Sequence, residues 1–200
     1  MNWKSLIAAA IIPLLTAACI QVNLPDKQQK KNTVHYALDL PADFKIPNQP
    51  VAVAEFSSNT PAKFRMLSRK GTELNQDPFA KWTQTPSYLL TFAFRDLYGC
   101  DDGADENSVY LLEGDLYTFE RNLDTGTADL KVLYRLINRK TKDVVFSKLQ
   151  NTAEPLKGTS SADFAEAMSK AVVKQAGVIR ELIETETRKP SSSRKESAAK

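Results

Sequence analysis

Two cysteines, a single histidine and a cluster of four carboxylates are the side chains of this 200-residue chain whose types and spacing could carry chemistry. Cys19 follows Thr16-Ala17-Ala18 directly. Small side chains there suit a processing enzyme, and a thiol just past the cut can take a diacylglycerol as a thioether while the freed amino group is acylated. His35 is the one imidazole, so any Ser-His-Asp catalysis would have to use it. It stands beside Tyr36 in a strand-like stretch, and no serine sits in a G-x-S-x-G elbow, so a satisfied strand histidine is the expectation. Zinc needs several Cys or His ligands, and once Cys19 is acylated only His35 and Cys100 remain. Asp101, Asp102, Asp105 and Glu106 surround Gly103 and could wrap calcium, but they lack the alternate-position ligands and closing glutamate of an EF-hand loop. A solvated loop is expected there. Glu113, Asp115 and Glu120 follow with no partner base and argue for a polar strand face. The seven glycines are scattered singly, which excludes a phosphate-cradling loop. No enzyme activity, cofactor or metal is therefore expected.

What surrounds Cys19 gives the thiol its meaning. Lys4 supplies a positive start, and Leu6 to Leu15 is an apolar run of about ten residues interrupted by Pro13. A membrane-spanning helix needs roughly 20, so residues 1–18 read as a secretory signal. The cysteine after two small residues resembles the bacterial lipobox, with Thr16 where that pattern usually has Leu. The other reading is an ordinary signal peptide followed by a chance cysteine. Residues 19–33 form the lipidated N-terminus and a polar linker, 34–187 a periplasmic domain, and 188–200 a disordered basic tail. Five of the 27 Lys and Arg lie in that tail against one acid, and Lys4 lies in the signal, leaving 21 bases against 23 acids. A nucleic-acid-binding domain is not supported. With Cys19 acylated, Cys100 has no intramolecular partner; it is buried and inert, or free to bridge another molecule.

The elements that must position these residues follow from periodicity. Val34 to Leu40 and Pro50 to Phe56 alternate as half-buried strands do. Phe64 to Arg69 and Leu74 to Trp82 flank Lys70-Gly71, which predicts a hairpin or a long loop, with Pro78 limiting the pairing. Pro86 opens a helix carrying Leu89, Leu90, Ala93, Phe94 and Leu97 until Gly99. Three alternating stretches, 109–120, 127–138 and 143–151, joined by short polar turns, predict an antiparallel meander. Ser161 to Thr187 is an amphipathic helix with Ser160 and Asp163 as a capping pair. The expected class is α+β: a mostly antiparallel mixed sheet with two main helices packed on one face, a two-layer sandwich.

The lipobox, the first strand Tyr36-Ala37-Leu38-Asp39-Leu40, the second strand PVAVAEF, and Trp82-Thr83-Gln84-Thr85-Pro86 before a leucine-rich helix together resemble the ABC-type transport auxiliary lipoproteins, the PqiC-like family. The likeness runs over about residues 34 to 185 as an order of features. It implies a non-catalytic accessory subunit of an MCE-type intermembrane lipid transport system, contributing to envelope integrity. An MCE-domain protein and a membrane permease would be its partners, with energy from another subunit and a homo-oligomeric ring as its assembly. With Ile20 rather than Asp after Cys19, inner-membrane retention is not signalled, so outer-membrane sorting is the default expectation, with the domain facing the periplasm. Trp82, Leu89 and Phe94 are offered as a partner or ligand surface, the cleft between the Leu89–Leu97 helix and the sheet being one place for a lipid or small ligand. The alternative is an envelope adaptor that regulates a cell-wall synthase or scaffold.

Overall fold

The computed structural model describes residues 32–42, 51–61, 63–100 and 108–188. In chain order the elements are β1 (Val34–Tyr36), β2 (Val51–Val53), β3 (Ser57–Ser58), β4 (Arg65–Lys70), β5 (Glu73–Trp82), α1 (Pro86–Tyr98), β6 (Tyr110–Asn122), β7 (Thr127–Asn138), β8 (Val144–Pro155) and α2 (Ser161–Arg188). The strands form one mixed eight-stranded sheet with the two helices packed against it, an α+β fold.

Strict alternation builds the centre. In β7, Ala128, Leu130, Val132, Tyr134 and Leu136 are all buried, and the residues between them are half-exposed. Their partners across the antiparallel ladder, Leu112, Gly114, Leu116 and Phe119 of β6, point the same way. The step from Leu116 to Phe119 breaks the two-residue period, and a bulge at Tyr117 restores it. Without that extra residue every side chain beyond it would face the wrong side. β8 completes the meander on the far edge of β7.

The other edge of β6 is covered by three short strands in succession. β2 and β3 pair it in parallel near its start and middle, and β4 pairs it in parallel at Ser68 and Arg69. β4 turns back through Gly71, at φ +56°, into β5, so residues 64–82 form the hairpin rather than a long loop. Pro78 is accommodated because the ladder opens there. Between the Leu67–Gln76 and Arg65–Lys81 pairs β5 bulges outward, and the Asp77 carboxylate accepts the N–H groups of Phe79 and Ala80 at 2.8 and 2.9 Å. β1 is the outermost strand on this side and runs parallel to β5.

The first two strands are shorter than alternation predicts. After Tyr36 the chain leaves the sheet and crosses α2, where the Asp39 N–H donates to Ser169 Oγ at 2.9 Å. Leu38 and Leu40 therefore pack against the core from a strap rather than a strand. The stretch 50–56 divides because the ladder to β6 runs from Val51 to the Ala54 N–H, which donates to the Leu112 carbonyl at 2.9 Å, before Phe56 turns inward. At the other end, β8 continues four residues past its expected limit, to Pro155.

Both helices bury their stripes in one core. Pro86 opens α1, and Gly99, left-handed at φ 64°, closes it, its N–H reaching the Asp96 carbonyl at 3.2 Å. α2 starts with a reciprocal box: Asp163 N–H to Ser160 Oγ at 3.1 Å and Ser160 N–H to Asp163 Oδ2 at 3.0 Å. Phe164, Met168, Val172, Ile179 and Ile183 are buried along it, each contributing about 1.5–3 kcal/mol. Gln175, wholly buried in this stripe, is satisfied at both ends. It accepts from Tyr134 Oη at 2.7 Å and donates to the Leu130 carbonyl at 2.9 Å and Thr152 Oγ1 at 3.2 Å.

Candidate functional site

Cys19, the residue with the most specific chemistry, lies outside the described residues, as do the acidic cluster Asp101, Asp102, Asp105 and Glu106 and the tail from 189 onward. The other expected site residues are all placed. Trp82, Leu89 and Phe94 are in the core rather than on a surface, with relative exposures of 1%, 9% and 0%. The reason is packing. Trp82 sits edge-on between Phe119 and Phe164, at ring-centroid distances of 5.1 and 5.5 Å, and among the described residues its indole N–H meets no hydrogen-bond acceptor. Phe94 packs on Phe56 and Tyr134, both at 5.3 Å. The interface between α1 and the sheet is filled by these rings.

A shallow pocket of about 300 Å³ lies where the strap crosses α2, lined by residues that include Asp39, Pro41, Ser169 and Val173. The lysines at its rim are engaged. Lys174 holds Glu154 at 2.7 Å, and Lys170 holds Glu166 at 2.9 Å. Lys157 also binds Glu166, at 2.6 Å, and the two lysines hold that carboxyl down to about 2. Nothing in this pocket pairs a nucleophile with a base.

The titratable groups elsewhere serve structure. Arg69 grips the buried Glu120 through two hydrogen bonds, which raise the guanidinium pKa further. Arg135 bridges Glu113 at 3.3 Å and Asp115 at 2.8 Å on the sheet face away from the helices; burial pulls its pKa down, and the two carboxylates outweigh that. Burial holds the Tyr98 and Tyr134 hydroxyls neutral well above the usual tyrosine range. Cys100 is half-buried just beyond the α1 cap, its Sγ 3.8 Å from the Arg95 carbonyl. Among the described residues no group of three or more His, Cys, Asp or Glu could hold a metal ion, and no helix is long and apolar enough to cross a membrane.

His35 is exposed on β1, in register with Lys81 of β5, which in turn lies opposite Arg65 of β4. This basic row joins three distant stretches, and inspection of single segments misses it. The sequence holds a signal in retrospect, because each residue occupies the outward phase of its own strand.

No protein-family model matches the chain, and no curated protein matches it in sequence. Solved structures do match its fold. The protein XCC0632 from Xanthomonas campestris, assigned to the family DUF330, is 20% identical, with a TM-score of 0.59 over 74% of this chain and 92% of that one. A second, uncharacterised protein is 10% identical, with a TM-score of 0.62 over 76% of this chain and 99% of that one. The chain shares its fold with these two proteins. The match takes in about three quarters of this chain and nearly the whole length of each neighbour.

Proposed function

We propose that the chain is an envelope lipoprotein, held at the outer membrane by acyl groups on Cys19, whose periplasmic domain is a non-catalytic accessory subunit of an MCE-type intermembrane lipid transport system. The observation that carries the anchor is the placement of Cys19 directly after Ala17-Ala18 at the end of a short apolar run. Two or three acyl chains, at about 0.8 kcal/mol per buried methylene, make such attachment effectively permanent. The transport assignment rests on the family resemblance and is supported by a fold shared with the DUF330 protein over 74% of this chain. The filled core supports a role exerted through surfaces. A domain of this kind binds the end of a periplasmic lipid-carrying assembly, self-associates into a ring around it, and joins it to the membrane that holds the anchor.

Two measurements test this. Intact mass of the membrane-extracted protein is expected to begin at Cys19 and to carry acyl mass; an unmodified soluble product refutes the anchor. Pull-down from detergent-solubilised envelope is expected to recover an MCE-domain protein and its permease. Recovery of cell-wall enzymes alone refutes the transport reading and supports an adaptor. Sedimentation showing only monomer at high concentration refutes the ring.

A further inference from the structure

The two edges of the sheet are unlike. β1, on one side, is three residues long; β8, on the other, is twelve, and among the described residues no strand pairs its outer side. Which backbone groups lie open follows from the ladders. The Arg139 N–H donates to the Val109 carbonyl on the β6 side, and bonding alternates along a strand, so the even-numbered residues of β7 bond β8. Their partners include Lys148, Gln150 and Thr152, and the Leu156 N–H, which reaches the Gly126 carbonyl at 2.9 Å, keeps that phase. The N–H and C=O groups of Ser147, Leu149, Asn151 and Ala153 therefore point away from the sheet. All four residues are exposed, Leu149 by 50%. Short strands, charges and bulges normally blunt such an edge. Here Lys148 is the one charge between Val144 and Ala153, and the ladder's irregularity lies near Val145, at the start of the strand.

An open edge of this kind accepts a strand, and β8 is complementary to itself. With two copies antiparallel about a two-fold axis at Asn151, that residue faces its own copy, Leu149 faces the partner's Ala153, and Ser147 faces the partner's Pro155. On the helix side Gln150 meets Thr152, and Lys148 meets Glu154. Such an isologous contact makes every unlike pairing twice. It forms about eight main-chain hydrogen bonds, and Pro155, which has no N–H, falls at the end, where only its carbonyl is needed. Charge selects the register. Moving the axis to Leu149 takes Lys148 from Glu154 to Gln150 and sets the two Lys148 side chains on a diagonal about 7–8 Å long, with no carboxylate between them. Glu154 holds Lys174 at 2.7 Å within its own chain. One carboxylate in this fold already takes two lysines, as Glu166 does with Lys157 and Lys170.

We propose that β8 is a self-pairing edge: two copies of the chain join antiparallel through residues 147–155, continuing the eight-stranded sheet across a two-fold axis at Asn151. The contact needs neither the anchor nor the transport assignment, and because it closes on itself a ring requires a second surface. The full chain, carrying Cys100→Ser to remove the other described thiol, is oxidised with copper–phenanthroline in lysed cells. Hydrogen-bonded pairs bring Cα atoms to about 5.5 Å, within disulfide reach, so Asn151→Cys is expected to give a covalent dimer. Leu149→Cys and Ala153→Cys are each expected to stay uncrosslinked, because each lies four residues along the ladder, about 13 Å, from its own copy. Lys148→Glu sets like charges opposite each other at two places. In sedimentation of the detergent-extracted protein it is expected to weaken the dimer about tenfold or more. Absence of a dimer at Asn151, a dimer at Leu149 in its stead, or association indifferent to Lys148→Glu overturns the proposal. So does a product joining Asn151→Cys to a different protein, which assigns the edge to that partner. Larger oligomers that persist without the Asn151 crosslink leave the ring standing while this contact fails. A crosslinked dimer with nothing larger supports the contact and refutes the ring.

Discussion

Gly114 sits in the middle of β6, where a glycine normally weakens a strand, and the fold supplies a reason for it. A Cβ built there would lie 2.8 Å from Cγ and Cδ2 of Phe56 and 2.9 Å from Cε2, inside any tolerated contact. The ring has little room to retreat, because it is wedged against Phe94 at 5.3 Å and Tyr134 at 6.0 Å. Tyr134 is also the cross-strand partner of Gly114. Overpacking of this kind destabilises by about 1–3 kcal/mol. Replacing glycine in a strand returns about 0.5–1 kcal/mol by restricting the unfolded chain. Gly114→Ala is therefore expected to destabilise by about 1–2 kcal/mol, lowering Tm by roughly 2–8 °C for a domain of this size. Equilibrium denaturation at unchanged m-value and calorimetry measure it. Shrinking the ring relieves the clash, so Gly114→Ala in a Phe56→Leu background is expected to be neutral or stabilising, with a coupling of about 1 kcal/mol or more between the sites. A neutral Gly114→Ala in the parent, or additive effects in the double variant, would refute the reasoning.

Arg69→Ala strands Glu120, a buried carboxylate, and is expected to destabilise by about 2 kcal/mol, the value for a buried pair reduced because Arg69 is partly exposed; Glu120→Gln in the same chain should recover much of it in denaturant melts. Glu166 is held at about 2 in the folded state against an ordinary 4.5, so its contribution is complete above pH 4.5 and is lost as pH falls toward 2. Glu166→Gln should flatten that part of the stability–pH curve, and an unchanged slope would show that the Lys157–Lys170 clasp is absent in solution. The raised Tyr98 and Tyr134 hydroxyls give the opposite sign: their contribution is complete below pH 10 and is lost above it. Tyrosinate absorbance should then show two of the six tyrosines ionising only with alkaline unfolding, and six titrating together in folded protein would contradict the burial.

Where one segment's own pattern decides the structure, the fold is legible in the sequence. The stripes of α1 and α2, the box at Ser160 and Asp163, the left-handed close at Gly99 and the three-strand meander all follow from spacing within a dozen or so residues. What escapes is set by contacts between segments. Nothing local says that the strap must leave β1 at Ala37, because Ser169, which captures Asp39, is 130 residues away. The role of Gly114 depends on Phe56, and the division of the stretch 50–56 depends on which residues reach β6. The same limit explains why Trp82, Leu89 and Phe94 misled. An apolar residue at helical spacing carries one signal for burial and for binding, and only the ring partners Phe119, Phe164, Phe56 and Tyr134 separate the two.

The basic row shows the converse case. His35 draws notice along the chain as the one imidazole, which invites a question about catalysis; across the sheet it stands first in a line with Lys81 and Arg65. The register of two ladders, one parallel and one antiparallel, turns three unremarkable residues into a surface. Register is fixed by the core on the opposite face, where Ala80, Trp82 and Met66 are buried. Every outward residue of these strands is thereby committed to its neighbours, so a shift that exposed Trp82 would dissolve the row along with the core. Stability and surface display are thus coupled through the pleat. Substitutions at Arg65 and Lys81 are expected to change the charge of this face while leaving the fold intact, whereas substitutions at Trp82 are expected to remove both together.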